Sequence, residues 1–117
     1  MNNDQKTLLD DACHCAGIEI EFSEACGDFW AHRHPFTFDP FTRAAHAAEL
    51  QCAARIDVKY REGRVIGERF VGGYLAKSEV ETHAGRGRDE ATRLAVIRCA
   101  AEAGRFMRDH NIKEQQP

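Results

Sequence analysis

Two glycine-bearing dipeptides, Glu62-Gly63 and Gly72-Gly73, most narrow what this chain can fold into. Each is a tight-turn signal, because turns between paired strands demand left-handed torsion angles that glycine adopts freely. They separate three runs of strand character. In the first, Ile56, Val58 and Tyr60 alternate with Asp57 and Lys59. The second runs from Val65 to Val71, with Gly67 as a candidate bulge. The third covers about 75–84, where Ala76, Ser78, Val80 and Thr82 alternate with Lys77, Glu79, Glu81 and His83. Strands joined by turns this short run antiparallel, so a meander is expected. The charged alternate positions of the last run suit an exposed sheet edge.

A meander must bury one face, and three helical patterns are at hand to cover it. Residues 5–16 place Leu8, Leu9, Ala12, Cys13, Cys15 and Ala16 at helical spacing, and Gly17 stands where a C-terminal glycine belongs. Asp39 is a candidate N-cap with Pro40 at the first helical position, opening a helix to about Ala54 whose buried stripe is expected to be Phe41, Ala45, Ala48 and Cys52. Asp89 is expected to cap a long helix to about Asp109. Its apolar lines are Leu94, Ile97, Ala101 and Gly104 beside Val96, Ala100, Ala103 and Met107, and Arg98–Glu102 and Arg105–Asp109 are i,i+4 pairs. Ile18-Glu19-Ile20-Glu21-Phe22 alternates strictly and reads as a half-buried strand. Residues 23–37 lack a period, with room for a short strand around Phe29–His32. The expected fold is α+β, order α-β-α-β-β-β-α: an antiparallel meander flanked by helices in an α/β/α sandwich-like arrangement. At 117 residues with 43% apolar content, one domain over 1–110 and a loose tail over 111–117 are expected.

Three stretches carry a resemblance. The first is Leu8-Leu9-Asp10-Asp11-Ala12 with the helix end at Gly17. The second is Trp30 followed by Phe38-Asp39-Pro40-Phe41-Thr42-Arg43-Ala44-Ala45. The third is Glu90-Ala91-Thr92-Arg93-Leu94-Ala95-Val96-Ile97-Arg98-Cys99-Ala100-Ala101. Together these resemble the phage ABA sandwich domain, a group of small bacteriophage and prophage proteins. Arg43 stands where that family usually has an acidic residue, and the Gly72–Ala84 region is long and charged. The resemblance implies an α/β/α sandwich and a phage or prophage origin, and it implies no catalytic residues.

Candidate chemistry is sparse. Cys13, Cys15, Cys26, His32 and His34 invite a zinc reading, but residues two apart on a helix point about 200° apart and no Cys-x-x-Cys is present. Cysteines in apolar patterns have raised pKa values and make poor nucleophiles. Gly85-Arg86-Gly87-Arg88 ahead of a helix could meet a phosphate, yet it matches no phosphate-loop pattern and Asp89 competes for the same amides. His46 and Glu49 lie three apart on a helix without a matching second pair, and Trp30, with Phe29 and Phe36, reads as a core anchor. No enzyme activity, cofactor or metal is therefore expected. Five cysteines cannot pair completely, and the polar, acidic start lacks a secretory pattern, so the cytoplasm of a bacterial host is the expected compartment. No stretch reads as a membrane span.

The charge is uneven. Overall it is −3, yet residues 1–30 set seven acidic residues against one lysine. Such a chain is a poor candidate for nonspecific duplex binding, and direct sequence-specific DNA binding is not expected. The function expected is that of a binding protein. It would occupy a surface of a host protein or ribonucleoprotein complex, such as a CRISPR effector, as an inhibitor of bacterial immunity. One candidate surface is acidic: Glu19, Glu21, Glu24 and Asp28. The other is the Arg-bearing turn region: Arg61, Arg64, Arg86 and Arg88. Alternatives are a phage structural or replication-accessory protein, dimeric through the last strand's edge, or a Cys/His metal-binding protein.

Overall fold

The computed structural model describes residues 1–23, 28–31 and 37–114, with the backbone alone at Asp28, Trp30 and Ala31. Its elements are α1 (Asn3–Ala16), β1 (Ile20–Ser23), β2 (Asp28–Ala31), α2 (Ala44–Ala54), β3 (Asp57–Arg61), β4 (Arg64–Val71), β5 (Tyr74–Glu81) and α3 (Arg88–Asp109). The expected α+β order is present, with β2 added as the antiparallel partner of β1 in a two-stranded sheet of its own.

β3, β4 and β5 form the expected antiparallel meander, with Arg61 opposite Arg64 and Val71 opposite Tyr74 across the two turns. Gly72 and Gly73 both take positive φ, 54° and 82°, as a two-residue turn between twisted strands requires. Gly67 is not a bulge: the ladder runs unbroken through it, from Val58 on one side to Ser78 on the other. The missing side chain instead lets α3 sit directly on the sheet. A β-carbon at Gly67 would lie 2.8 Å from the Ala95 carbonyl oxygen.

α3 is the middle layer. One side packs on β4 and β5 and the other on α1, while α2 leans on both α1 and α3. This double burial explains why so much of α3 is apolar: Ala95, Val96, Ile97, Cys99, Ala100, Ala101, Ala103, Gly104 and Met107 are all buried. The layers therefore run sheet, α3, α1: the helices lie on one face of the meander and do not flank it on both sides as an α/β/α sandwich would, and among the described residues no helix covers its second face.

Local chemistry sets the helix ends, and several differ from expectation. α1 opens on a capping box: the Asn2 side chain accepts from Gln5 N–H at 2.8 Å and Gln5 returns the bond at 3.1 Å. Asp39 does not cap α2. Its carboxylate accepts the Phe41 and Thr42 N–H groups and closes a separate turn, so α2 starts later, at Ala44. That turn breaks the phase on which the expected stripe depended. Ala47, Leu50 and Ala54 are the buried positions, while Ala45, Ala48 and Cys52 are exposed. Leu50, the one large aliphatic residue of the helix, chooses the buried side.

Gly87, not Asp89, is the N-cap of α3, and Asp89 and Glu90 lie within the first turn, where carboxylates favour the helix dipole. The two i,i+4 pairs do not form, because one member of each has a longer-range partner. Glu102 accepts from the Tyr74 hydroxyl and from Lys77 N–H, and Arg105 faces Asp11 at 3.8 Å. Residues 111–114 are not loose either. Ile112 packs on the core and donates to the Met107 carbonyl at 2.8 Å, and Glu114 pairs with the buried guanidinium of Arg69. Residues 115–117 lie outside the described residues.

Candidate functional site

The face of the meander turned away from α3 carries side chains from all three strands. Strand alternation places Asp57, Lys59 and Arg61 there from β3, Arg64, Ile66, Glu68 and Phe70 from β4, and Leu75, Lys77, Glu79 and Glu81 from β5. Its charges are cross-linked: Lys59–Glu68 at 3.3 Å, Arg64–Glu79 at 3.9 Å and Lys77–Glu79 at 3.3 Å. Ile66 lies among them yet is only 5% exposed. At the β4–β5 end Phe70 is 68% exposed, and Leu75, its partner across the ladder, is 36% exposed. The sequence carried a signal for this pair. Phe70 falls out of phase with the buried Val65, Arg69 and Val71, and the turn at Gly72-Gly73 puts Leu75 opposite it.

The four arginines singled out from sequence share the opposite end of the sheet but not one face of it: Arg61 and Arg64 are in the solvent-facing phase, and Arg88 lies over Tyr60, which is in the other. Arg61 and Arg64 flank the β3–β4 turn. Thr82 N–H donates to the Gly63 carbonyl at 2.9 Å, which holds the segment after β5 against that turn. Arg86 lies in a tight turn bonded to His83 through both backbone groups, and the Arg88 guanidinium stacks 4.6 Å over the Tyr60 ring. Glu62, Glu79, Glu81, Asp89 and Glu90 stand in the same sequence segments, so this end has mixed charge. Asp89 and Glu90 also put carboxylates in the first turn of α3, where an anion would have to bind.

Of the acidic set, Glu19 and Glu21 are exposed, beside and within β1. Asp28 is placed by its backbone, opposite Ser23, and Glu24 lies outside the described residues. The other side of this hairpin is apolar. Phe22 meets Phe29 edge to face at 5.2 Å, and Lys6 lies 3.9 Å over the Phe22 ring.

The cysteines divide by burial. α1 packs against two helices, so Cys13 and Cys15 are both buried although they point in different directions. Burial pushes the Cys13 and Cys99 thiols up to about 12. It also raises Cys15, against the pull of the Arg69 guanidinium at 3.5 Å from its sulfur. Cys52 is exposed. Cys26, His32 and His34 lie outside the described residues. Among the described residues no group of three His, Cys, Asp or Glu side chains is placed to hold a metal. His46 has a structural role: its Nδ1 accepts the Asp39 N–H at 2.9 Å and its ring stacks on Phe38.

Two buried charges had no sequence signal, because their partners are far away in the chain. Arg69 sits in the α3-facing phase of β4 and donates to the Ala54 carbonyl at 3.0 Å, the Phe70 carbonyl at 3.1 Å and the Glu114 carboxylate. Asp11 on α1 accepts from Arg108 of α3, which also binds Asp10 at 3.1 Å. Burial raises the Asp11 pKa, against the pull of Arg108 and Arg105. Both residues join layers of the fold.

Among the described residues no helix is long and apolar enough to cross a membrane. Compared with family models, curated proteins and solved structures, the chain matches none.

Proposed function

We propose that this chain is a non-enzymatic binding protein of phage type that acts by occupying a surface of a host macromolecular complex. In its sharpest form it is an inhibitor of bacterial immunity that covers a nucleic-acid-binding or assembly surface of a CRISPR effector. The observation that carries the reading is the solvent face of the meander, where Phe70 and Leu75 stand exposed beside rows of charged side chains. An exposed aromatic–aliphatic pair with a charged rim has the anatomy of a protein–protein contact. A hydrogen-bonded sheet holds these side chains in place before binding, which lowers the ordering cost. Glu19 and Glu21, and the end bearing Arg61, Arg64, Arg86 and Arg88, would steer and align the partner. The phage origin is taken from the resemblance at residues 8–17, 38–45 and 90–101.

The test mixes the full chain with purified CRISPR effector complexes and follows co-elution and target-DNA binding together. The expected result is stoichiometric co-elution with one complex, loss of its DNA binding, and weakening of both by Phe70→Ser. No co-elution at low salt, with DNA binding unimpaired, overturns the inhibitor reading. Co-elution that ignores Phe70→Ser and Leu75→Ser overturns the assignment of the surface.

A further inference from the structure

β5 is an edge strand, because the meander order is β3-β4-β5. The two-residue turn makes Val71 and Tyr74 the first hydrogen-bonded pair of the hairpin. Tyr74, Ala76, Ser78 and Val80 therefore direct their backbone N–H and C=O groups to β4. Leu75, Lys77, Glu79 and Glu81 direct theirs outward, to the open edge.

The outward positions are self-complementary in one register. With β5 laid antiparallel on β5 of a second copy about Ser78, Lys77 stands opposite Glu79 of that copy and Glu79 opposite its Lys77. Ala76 then stands opposite Val80. An axis at Lys77 sets two lysines against each other, and an axis at Glu79 sets two glutamates against each other, which offsets the Lys77–Glu81 pairs it also makes. Charge thus selects the register centred on Ser78.

The single chain already occupies part of this edge. Glu102 reaches from α3 and accepts the outward N–H of Lys77 at 3.2 Å, while its other oxygen takes the Tyr74 hydroxyl. In the paired register that same N–H would meet the Glu79 carbonyl of the second copy. Glu102 and a second copy compete for one donor.

We infer that β5 pairs with β5 of a second copy about Ser78 to make a continuous six-stranded sheet, and that Glu102 weakens this dimer by holding the Lys77 N–H. The inference concerns the edge of the sheet and is independent of the reading of its face.

Sedimentation equilibrium of the full chain over a wide concentration range tests it. The wild type is expected to associate reversibly, and Glu102→Ala to associate more tightly. Lys77→Glu alone and Glu79→Lys alone each set like charges opposite one another, and each should weaken the dimer about tenfold or more. The combined Lys77→Glu/Glu79→Lys variant restores the match and should recover association. Both side chains are nearly half exposed, at 45% and 42%, so the reversals leave the fold intact, which circular dichroism checks. A chain that stays monomeric even as Glu102→Ala overturns the inference. So does a dimer that ignores the single reversals or is not rescued by the double one.

Discussion

Gly104 of α3 faces the Asp11 carbonyl of α1 so closely that a β-carbon on Gly104 would lie 1.9 Å from the oxygen. The obstacle is backbone, which cannot swing away as a side chain could. Gly104→Ala must therefore push α1 off α3 and disturb the contacts of Leu9, Ala12 and Cys15 with it. The expected cost is about 3 kcal/mol or more, at the upper end for single substitutions. Gly67→Ala, with its virtual β-carbon 2.8 Å from the Ala95 oxygen, should cost less, about 1–3 kcal/mol. Urea unfolding of the two variants checks both the size and the order. A Gly104→Ala cost below about 1 kcal/mol would mean the helices do not approach this closely.

Arg69 and Glu114 make a second junction, between β4 and the segment after α3. The Arg69 side chain is 7% exposed and that of Glu114 is 22% exposed. Removing one partner leaves the other desolvated without its counter-charge. Arg69→Met also strips the Ala54 and Phe70 carbonyls of a donor, so it should cost about 2–4 kcal/mol. Glu114→Gln keeps one acceptor and should cost less. In a double-mutant cycle, the pair should be strongly non-additive. Additive losses would show that Glu114 does not hold Arg69.

The meander, its turns and the three helices were legible because each rests on local pattern: alternation, two glycine turns and a wide apolar stripe. The phase of α2 was not. Extending the stripe from Phe41 assumed one continuous helix from Pro40, whereas Asp39 closes a separate turn first. The pairs expected along α3 failed for another reason: Glu102 and Arg105 found partners on β5 and α1 that no spacing rule reveals. Gly67 and Gly104 were visible as glycines, but the sequence does not state what approaches them. Arg61, Arg64, Arg86 and Arg88 lie at one end of the sheet because the segment after β5 returns to the end that holds the β3–β4 turn, while the β4–β5 turn is at the other end. The Phe70–Leu75 pair depends on the register across the Gly72-Gly73 turn, which alternation within a single strand does not contain.

The burial of the thiols predicts their reactivity. Cys13, Cys15 and Cys99 are enclosed and their pKa values are raised, which suppresses both access and thiolate. In the native protein at mildly alkaline pH, iodoacetamide should label Cys52 and spare these three. In urea all four should be labelled. Peptide mass spectrometry reads the pattern, and native labelling of Cys99 at the rate of Cys52 would contradict the packing of α3 on β5.

The same thiols predict how stability responds to alkali. Cys13 and Cys99 titrate at about 12 in the folded chain, against 9.0 for a free thiol. Between these values the folded state holds protons that the unfolded state has released. Stability is therefore full below about pH 9 and falls as pH rises through the window, each thiol contributing a slope of up to about 1.4 kcal/mol per pH unit. Cys15, raised by burial, and Tyr74, raised by its hydrogen bond to Glu102, act in the same direction. Urea midpoints measured from pH 8 to pH 11 should fall steadily in the wild type. A Cys13→Ala/Cys99→Ala variant should start less stable, because it leaves two small cavities, yet lose less over the same range. Parallel slopes for the two proteins would mean that these thiols do not carry the alkaline transition, and that deprotonation of other groups drives it.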